Sequence, residues 1–137
     1  MDMTTQARGM AMQMAVFQVL EQQTKPMSAY DILDALRDTN ARLAPTTIYR
    51  ALNALCARGQ IYRIESLKAF AVKRCSAPSD AVILSICDGC GSVEETAAAG
   101  LLQQVAQSAS RSGFEPQRHV VELHGWCSAC AMQEART

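Results

Sequence analysis

An α+β fold in two small units is what this sequence predicts, and three observations predict it. Apolar residues in the first sixty positions recur at helical spacing, in three segments separated by turn residues. From Ile61 the period drops to two, in short runs of strand-forming residues. Two Cys-x-x-Cys pairs, Cys87/Cys90 and Cys127/Cys130, then bracket most of the second half of the 137-residue chain.

The first helix runs from Met10 to Gln22, with Met10, Met14, Phe17, Val19 and Leu20 as its apolar residues and Thr24-Lys25-Pro26 as its stop. Five methionines fall in the first fourteen positions (Met1, Met3, Met10, Met12, Met14). Flexible thioethers filling a helical core account for them more simply than a metal-binding methionine box. Ser28 is an N-cap for a helix over Ala29 to Arg37, in which Ile32, Leu33 and Leu36 share one face. Asp31 stands near its positive start and Arg37 near its negative end.

Asp38 to Leu43 is a connector. Pro45 opens a third helix that Gly59 ends. Ile48, Leu52 and Leu55, spaced i, i+4, i+7, face a core and leave Tyr49, Arg50 and Asn53 outward. Cys56 reads as a small core residue. Ile61 to Ile64 and Ala69 to Val72 are two short strands joined by Glu65 to Lys68. Three helices followed by a hairpin is the winged helix-turn-helix. The second helix of its pair enters the DNA major groove and the wing follows the phosphates.

Residues 1–74 therefore form one domain, 75–80 a hinge with Pro78 and two serines, and 81–137 a second, α/β domain. In the second, Ala81 to Ile86 is a buried strand leading into the first cysteine pair, and Ser92 to Glu95 pairs beside it. Gly100 to Ser112 is a helix carrying Leu101, Leu102, Val105 and Ala106. Arg118 to His124 alternates as a strand that runs into the second pair.

A Cys-x-x-Cys turn puts two sulfurs on one side of a tight bend, and two such turns complete a tetrahedral four-thiolate shell that suits zinc. Gly89 and Gly91 give the first turn the backbone freedom it needs. Disulfides or a redox dithiol are the competing readings. A dithiol of that kind normally comes singly at a strand-to-helix junction, whereas here a matched second pair stands 37 positions on. Such a closed shell builds a fold and leaves no position for a substrate.

Composition bounds the rest. A chain that is 49% hydrophobic can bury a core, yet each half alone is near the size at which metals or partners are needed. Residues 1–8 are polar, and no apolar run approaches a membrane span, so neither an export signal nor a membrane anchor is expected. Six cysteines without an export signal imply a reducing cytoplasm. Residues 1–75 hold ten Lys and Arg against six Asp and Glu, and residues 76–137 hold three against seven. A basic half joined to an acidic, cysteine-bearing half reads as a nucleic-acid binder fused to a second module. An enzyme is the weaker reading, because the only two histidines have no catalytic spacing and the metal shell is closed.

On DNA, Tyr49 and Arg50 would lead the recognition helix into the groove, with Thr46 and Thr47 at its start. Arg suits bidentate contact with guanine, while hydroxyls and helix N-terminal amides hold phosphate. Tyr30 would touch a thymine methyl or a phosphate. On the wing, Arg63, Lys73 and Arg74 would supply sequence-independent attraction, and Lys68 reads as a solvated charge.

Two stretches carry a family resemblance. Ser28-Ala29-Tyr30-Asp31-Ile32-Leu33-Asp34-Ala35-Leu36, followed by Pro45-Thr46-Thr47-Ile48-Tyr49-Arg50-Ala51-Leu52, resembles the DNA-binding domain of the ferric uptake regulator (Fur) family. Cys87-Asp88-Gly89-Cys90-Gly91, then Gly113-Phe114, His119 and Glu122-Leu123-His124-Gly125-Trp126-Cys127-Ser128-Ala129-Cys130, resembles that family's dimerisation domain. The zinc uptake regulator (Zur) branch is the most similar, and the resemblance covers about Met10 to Cys130. It implies a homodimeric repressor that binds operator DNA when a sensory site fills with zinc, with no membrane and no small-molecule substrate.

The departures from the family pattern are specific. The segment before the first cysteine pair, Cys75 to Ala81, is usually histidine-rich and here has no histidine. Tyr62 stands where the zinc branch often has histidine, and Leu102 where an auxiliary site usually has a carboxylate. The segment before the first helix is short and lacks the usual basic pattern. What the resemblance leaves for a sensory site is Cys75, Asp80, Glu95 and His119, a chemically acceptable zinc donor set. The departures also fit a second reading, a family member that has lost metal sensing, keeps only the structural zinc, and acts constitutively or by redox state.

Overall fold

The computed structural model describes residues 3–135, and side chains from 6 to 133. Met1 and the side chain of Met3 lie outside the described residues. The fold is α+β and divides into two compact units, Met1–Lys73 and Arg74–Thr137.

The first unit contains three helices, α1 (Met3–Glu21), α2 (Ala29–Arg37) and α3 (Pro45–Ala57), and a hairpin of β1 (Ile61–Ile64) and β2 (Ala69–Val72). Helix α1 starts seven residues before the expected Met10, because the stretch has no proline and its one glycine, Gly9, costs only about 1 kcal/mol relative to Ala. Met10 and Met14 are not core filler, although Met12 is. Met10 is 58% and Met14 63% exposed, whereas Val16 and Leu20 are buried and Met12, Phe17 and Val19 pack beside them. The true core stripe is Met12–Val16–Leu20, one i, i+4, i+8 row away from the methionine row.

Helix α2 opens with a capping box: the Asp31 amide donates to the Ser28 hydroxyl at 3.1 Å, and the Ser28 amide donates to the Asp31 carboxylate at 3.2 Å. Helix α3 ends in a Schellman motif. The Gln60 amide reaches the Leu55 carbonyl and the Gly59 amide the Cys56 carbonyl, both at 3.0 Å, with Gly59 at φ 70°. Its Ile48 and Leu52 are fully buried against Ile32 and Leu33 of α2 and Val16 of α1.

The hairpin pairs Ile61 with Val72 through Ile64 with Ala69. A third segment, unforeseen in the sequence, joins its outer edge: Met27 and Phe70 exchange backbone bonds at 3.0 and 2.8 Å. A single bridging residue has no period to read. Lys68, in the turn, sits at φ 50°, a left-handed conformation more usual for Gly or Asn.

The second unit is a three-stranded sheet, order β4-β3-β5, formed by β3 (Val82–Cys87), β4 (Val93–Ala97) and β5 (Glu122–Gly125), with α4 (Ala99–Ser110) and α5 (Ser128–Ala135). Strand β3 pairs antiparallel with β4 and parallel with β5. The expected strand from Arg118 to His124 is shorter, because only Glu122 to Gly125 meets β3, in the register Leu84↔Glu122 to Cys87↔Gly125. The terminal helix α5 was not foreseen: it starts inside the second cysteine pair, where ligand spacing masks helical periodicity. This unit's core is thin, with Val82, Leu84 and Ile86 of β3 and Leu102 of α4 among its few buried apolar residues.

Replacing Ser28 with Ala removes one half of the capping box and is expected to cost about 1 kcal/mol. Equilibrium unfolding in urea should show a lower midpoint with an unchanged slope; an unmoved midpoint would show that solvent caps α2 equally well.

Candidate metal centre and nucleic-acid interface

The parallel pairing of β3 and β5 brings the two Cys-x-x-Cys turns together. Cys87 ends β3, Gly125 ends β5 opposite it, and the Asp88 amide donates to the Gly125 carbonyl at 2.7 Å. The sulfurs of Cys87, Cys90, Cys127 and Cys130 all lie within 4.8 Å of one another. Cys90 and Cys127 are 3.8 Å apart at sulfur, against about 2 Å for a disulfide, and all six cysteines are free. Four soft sulfurs with no fifth donor among them fit zinc or another thiophilic ion in a tetrahedral shell.

The backbone prepares this shell for negative charge. Cys87 accepts the amides of Gly89 and Cys127 at 3.3 Å and of Cys90 at 3.4 Å. Those bonds, with the Cys127 amide foremost, hold its thiol down to about 6. The Ser92 hydroxyl, 3.2 Å from Cys90, lowers the Cys90 thiol. Cys130 is pushed the other way, up to about 12, because its proton is shared first with Cys127 and then with Cys87. Outside the cluster, burial raises the Cys56 thiol and keeps it a neutral packing residue.

Gly89 and Gly91 are required for different reasons. Gly91 has φ 77°, a left-handed conformation. Gly89 is confined by its neighbours: a Cβ there would stand 2.7 Å from Cζ3 of Trp126 and 3.0 Å from Sγ of Cys130. The Trp126 contact and the Ser92 bond escaped the sequence reading. The lone tryptophan directly before Cys127 is the one signal from which the first of them could have been found.

Cys75, Asp80, Glu95 and His119 do not gather in the same way. Among the described residues, the four cysteines are the only set of three or more such side chains with their ligand atoms in mutual reach. The Glu95 carboxylate accepts the Arg74 amide at 2.7 Å and the Cys75 amide at 2.5 Å. His119 bonds through Nε2 to the Asp80 carbonyl, and so keeps its proton on that nitrogen.

In the first unit, α2 and α3 expose one polar surface. Tyr30 is 62% and Tyr49 43% exposed, and Thr46, Arg50 and Asn53 are exposed beside Thr47, which is half-buried. Helix α3 has no side-chain cap, since Ala44 precedes Pro45. Its start is held instead by Arg37, whose Nε and Nη2 both donate to the Leu43 carbonyl at 3.2 and 3.1 Å. On the wing, Arg63 is exposed and faces the Glu65 carboxylate at 3.5 Å, which offsets part of its charge.

The model of the ferric uptake regulator family matches residues 5–124. The chain is 35% identical over 121 residues to the zinc uptake regulation protein of Escherichia coli (strain K12), covering 88% of this chain and 71% of that one. A zinc uptake regulator solved in complex with zinc and DNA superposes with a TM-score of 0.84 at 34% identity, over 90% of this chain and 83% of that chain. The holo form of XcZur superposes at 0.78 with 35% identity, over 88% and 84%.

Because Cys130 holds its proton at neutral pH while Cys87 has lost its own, metal uptake must release protons. Zinc affinity is therefore expected to rise with pH and fall on acidification. Calorimetry in buffers of different ionisation enthalpy counts the protons released. Cys127→Ser should lose the tightly held metal, read by elemental analysis, and retention of a full equivalent would exclude the four-thiolate shell.

Proposed function

Because the chain belongs to the ferric uptake regulator family, we propose that it is a zinc-responsive transcriptional repressor that binds operator DNA as a homodimer. One observation carries this reading: the likeness across both units to a zinc uptake regulator solved with zinc and DNA. Members of this family are DNA-binding regulators and not enzymes, so no residue is given a catalytic role. Among the described residues no helix is long and apolar enough to cross a membrane. DNA as the partner and six free thiols support a cytoplasmic location.

Arg50 and Tyr49 read base edges from the exposed face of α3. Thr46, Thr47 and the uncapped start of that helix hold phosphate, as does Tyr30. Arg63 contributes charge along the backbone, tempered by Glu65. Arg37 positions the recognition helix without touching DNA. The second unit mediates dimerisation, a role supported by its exposed Leu101, Val105, Phe114, Val120 and Leu123.

Cys87, Cys90, Cys127 and Cys130 are the structural ligands. Zinc supplies there the tetrahedral cross-link between two turns distant in sequence. Cys75, Asp80, Glu95 and His119 form the sensory set in this reading. A second reading, loss of metal sensing with the structural zinc retained, is favoured by the backbone bonds that engage Glu95 and His119.

Zinc per chain and operator binding, followed together through mild chelation, separate the two readings. Two zincs, one removed along with DNA binding, support the sensor; Cys75→Ser should then abolish the zinc response without unfolding the dimer. One tightly held zinc, with DNA binding indifferent to chelation, supports the second reading. In either case Arg50→Ala is expected to cost about 1–3 kcal/mol and relax specificity at one base pair. Equal weakening on all sequences would move Arg50 from base readout to phosphate contact.

A further inference from the structure

We infer that Trp126 is a cover over the four-thiolate shell that sets how fast its metal is lost. The inference rests on reading the four cysteines as a zinc site and adds a residue that is not itself a ligand. The six-membered edge of the indole lies against Gly89: Cζ3 and Cε3 stand 2.7 and 3.0 Å from the point a Gly89 Cβ would occupy. The Cys130 sulfur stands 3.0 Å from that same point. Gly89 is thus a slot kept empty so that the ring can lie across the first turn and beside a sulfur of the second.

The indole also lines a cavity of about 200 Å³ together with Cys87, Ser92 and Cys127. In this inference the ring hinders a chelator or proton that reaches the sulfurs from this side. Trp126 is 52% exposed, so it seals one side only. A polarisable sulfur beside an aromatic edge is a favourable contact, and it holds the ring in place. Residues outside the ligand shell that orient or shield it commonly change metal retention by tenfold or more.

The test measures zinc transfer to a chromogenic chelator, after elemental analysis has established the zinc content of each protein. Trp126→Ala is expected to keep its zinc and release it about tenfold faster or more, with Trp126→Phe restoring most of the slow rate. Gly89→Ala, which fills the slot, should accelerate release comparably, and the double variant should be no faster than either single one. Trp126 is the only tryptophan, so emission reports this ring alone: Gly89→Ala with zinc bound should emit at longer wavelength than the parent. Equal release rates for the parent and Trp126→Ala, both zinc-loaded, would overturn the cover and leave the metal site standing. A parent protein without zinc would overturn the four-cysteine reading and this inference with it.

Discussion

The second unit depends on one constraint: four sulfurs from two turns, 37 positions apart in sequence, must stand together. Its buried apolar residues are few: one face of β3, with Ala81 before it, and Leu102. A unit of this size with so thin a core is near the limit of independent stability, and a metal cross-link supplies what apolar burial does not. The topology serves that requirement. Parallel pairing of β3 with β5 sends both strands toward the same end of the sheet, so each runs directly into its cysteine pair. The amides that follow then turn inward onto Cys87, which lets a cluster of thiolates form where mutual repulsion would otherwise forbid it.

The first unit solves its problem by other means. Its core draws on all three helices and the hairpin, and its helix ends are closed by local chemistry: a capping box on α2 and a Schellman motif on α3. The exception is the start of α3, where a proline and an alanine offer no cap. An uncapped N-terminus leaves amide donors for an anionic partner. The Arg37 fork on the Leu43 carbonyl compensates mechanically, because it fixes the connector that leads into α3. Stability is local here, and the surface is left to recognition.

Legibility in the sequence followed the same division. Helix α2 and the hairpin were readable to the residue and α3 to within one, because Ser28, Pro45 and Gly59 punctuate them and their apolar periods are clean. Helix α1 was misjudged in phase because apolar residues surround it, so Met10 and Met14 looked as eligible for the core as Met12 and Val16. The four-cysteine cluster was legible because ligand spacing is a covalent property of the chain. What fills the space around it was not. Neither the Trp126 packing on Gly89 nor the length of β5 has a period or motif, since both are set by contacts between segments distant in sequence. Leu102 shows the reverse: a position read as the loss of a ligand is a buried apolar residue of the thin core.

Under the proposed zinc-responsive reading, Glu95 is where stability and sensing would compete. Its carboxylate takes two backbone amides at the start of the second unit, at 2.7 and 2.5 Å, and hydrogen bonds to a charged acceptor are worth about 1.5–3 kcal/mol each. A metal that recruits Glu95 takes lone pairs those amides already use, and it draws on the Cys75 side chain whose own amide is one of the two. Binding at Cys75 and Glu95 is therefore coupled to the backbone that leaves the first unit. Such coupling transmits a signal only if the metal interacts differently with the two arrangements of that backbone. In the proposed sensor the response is this exchange of partners at one carboxylate, and an ion too weakly held to displace two amides leaves the protein as it stands.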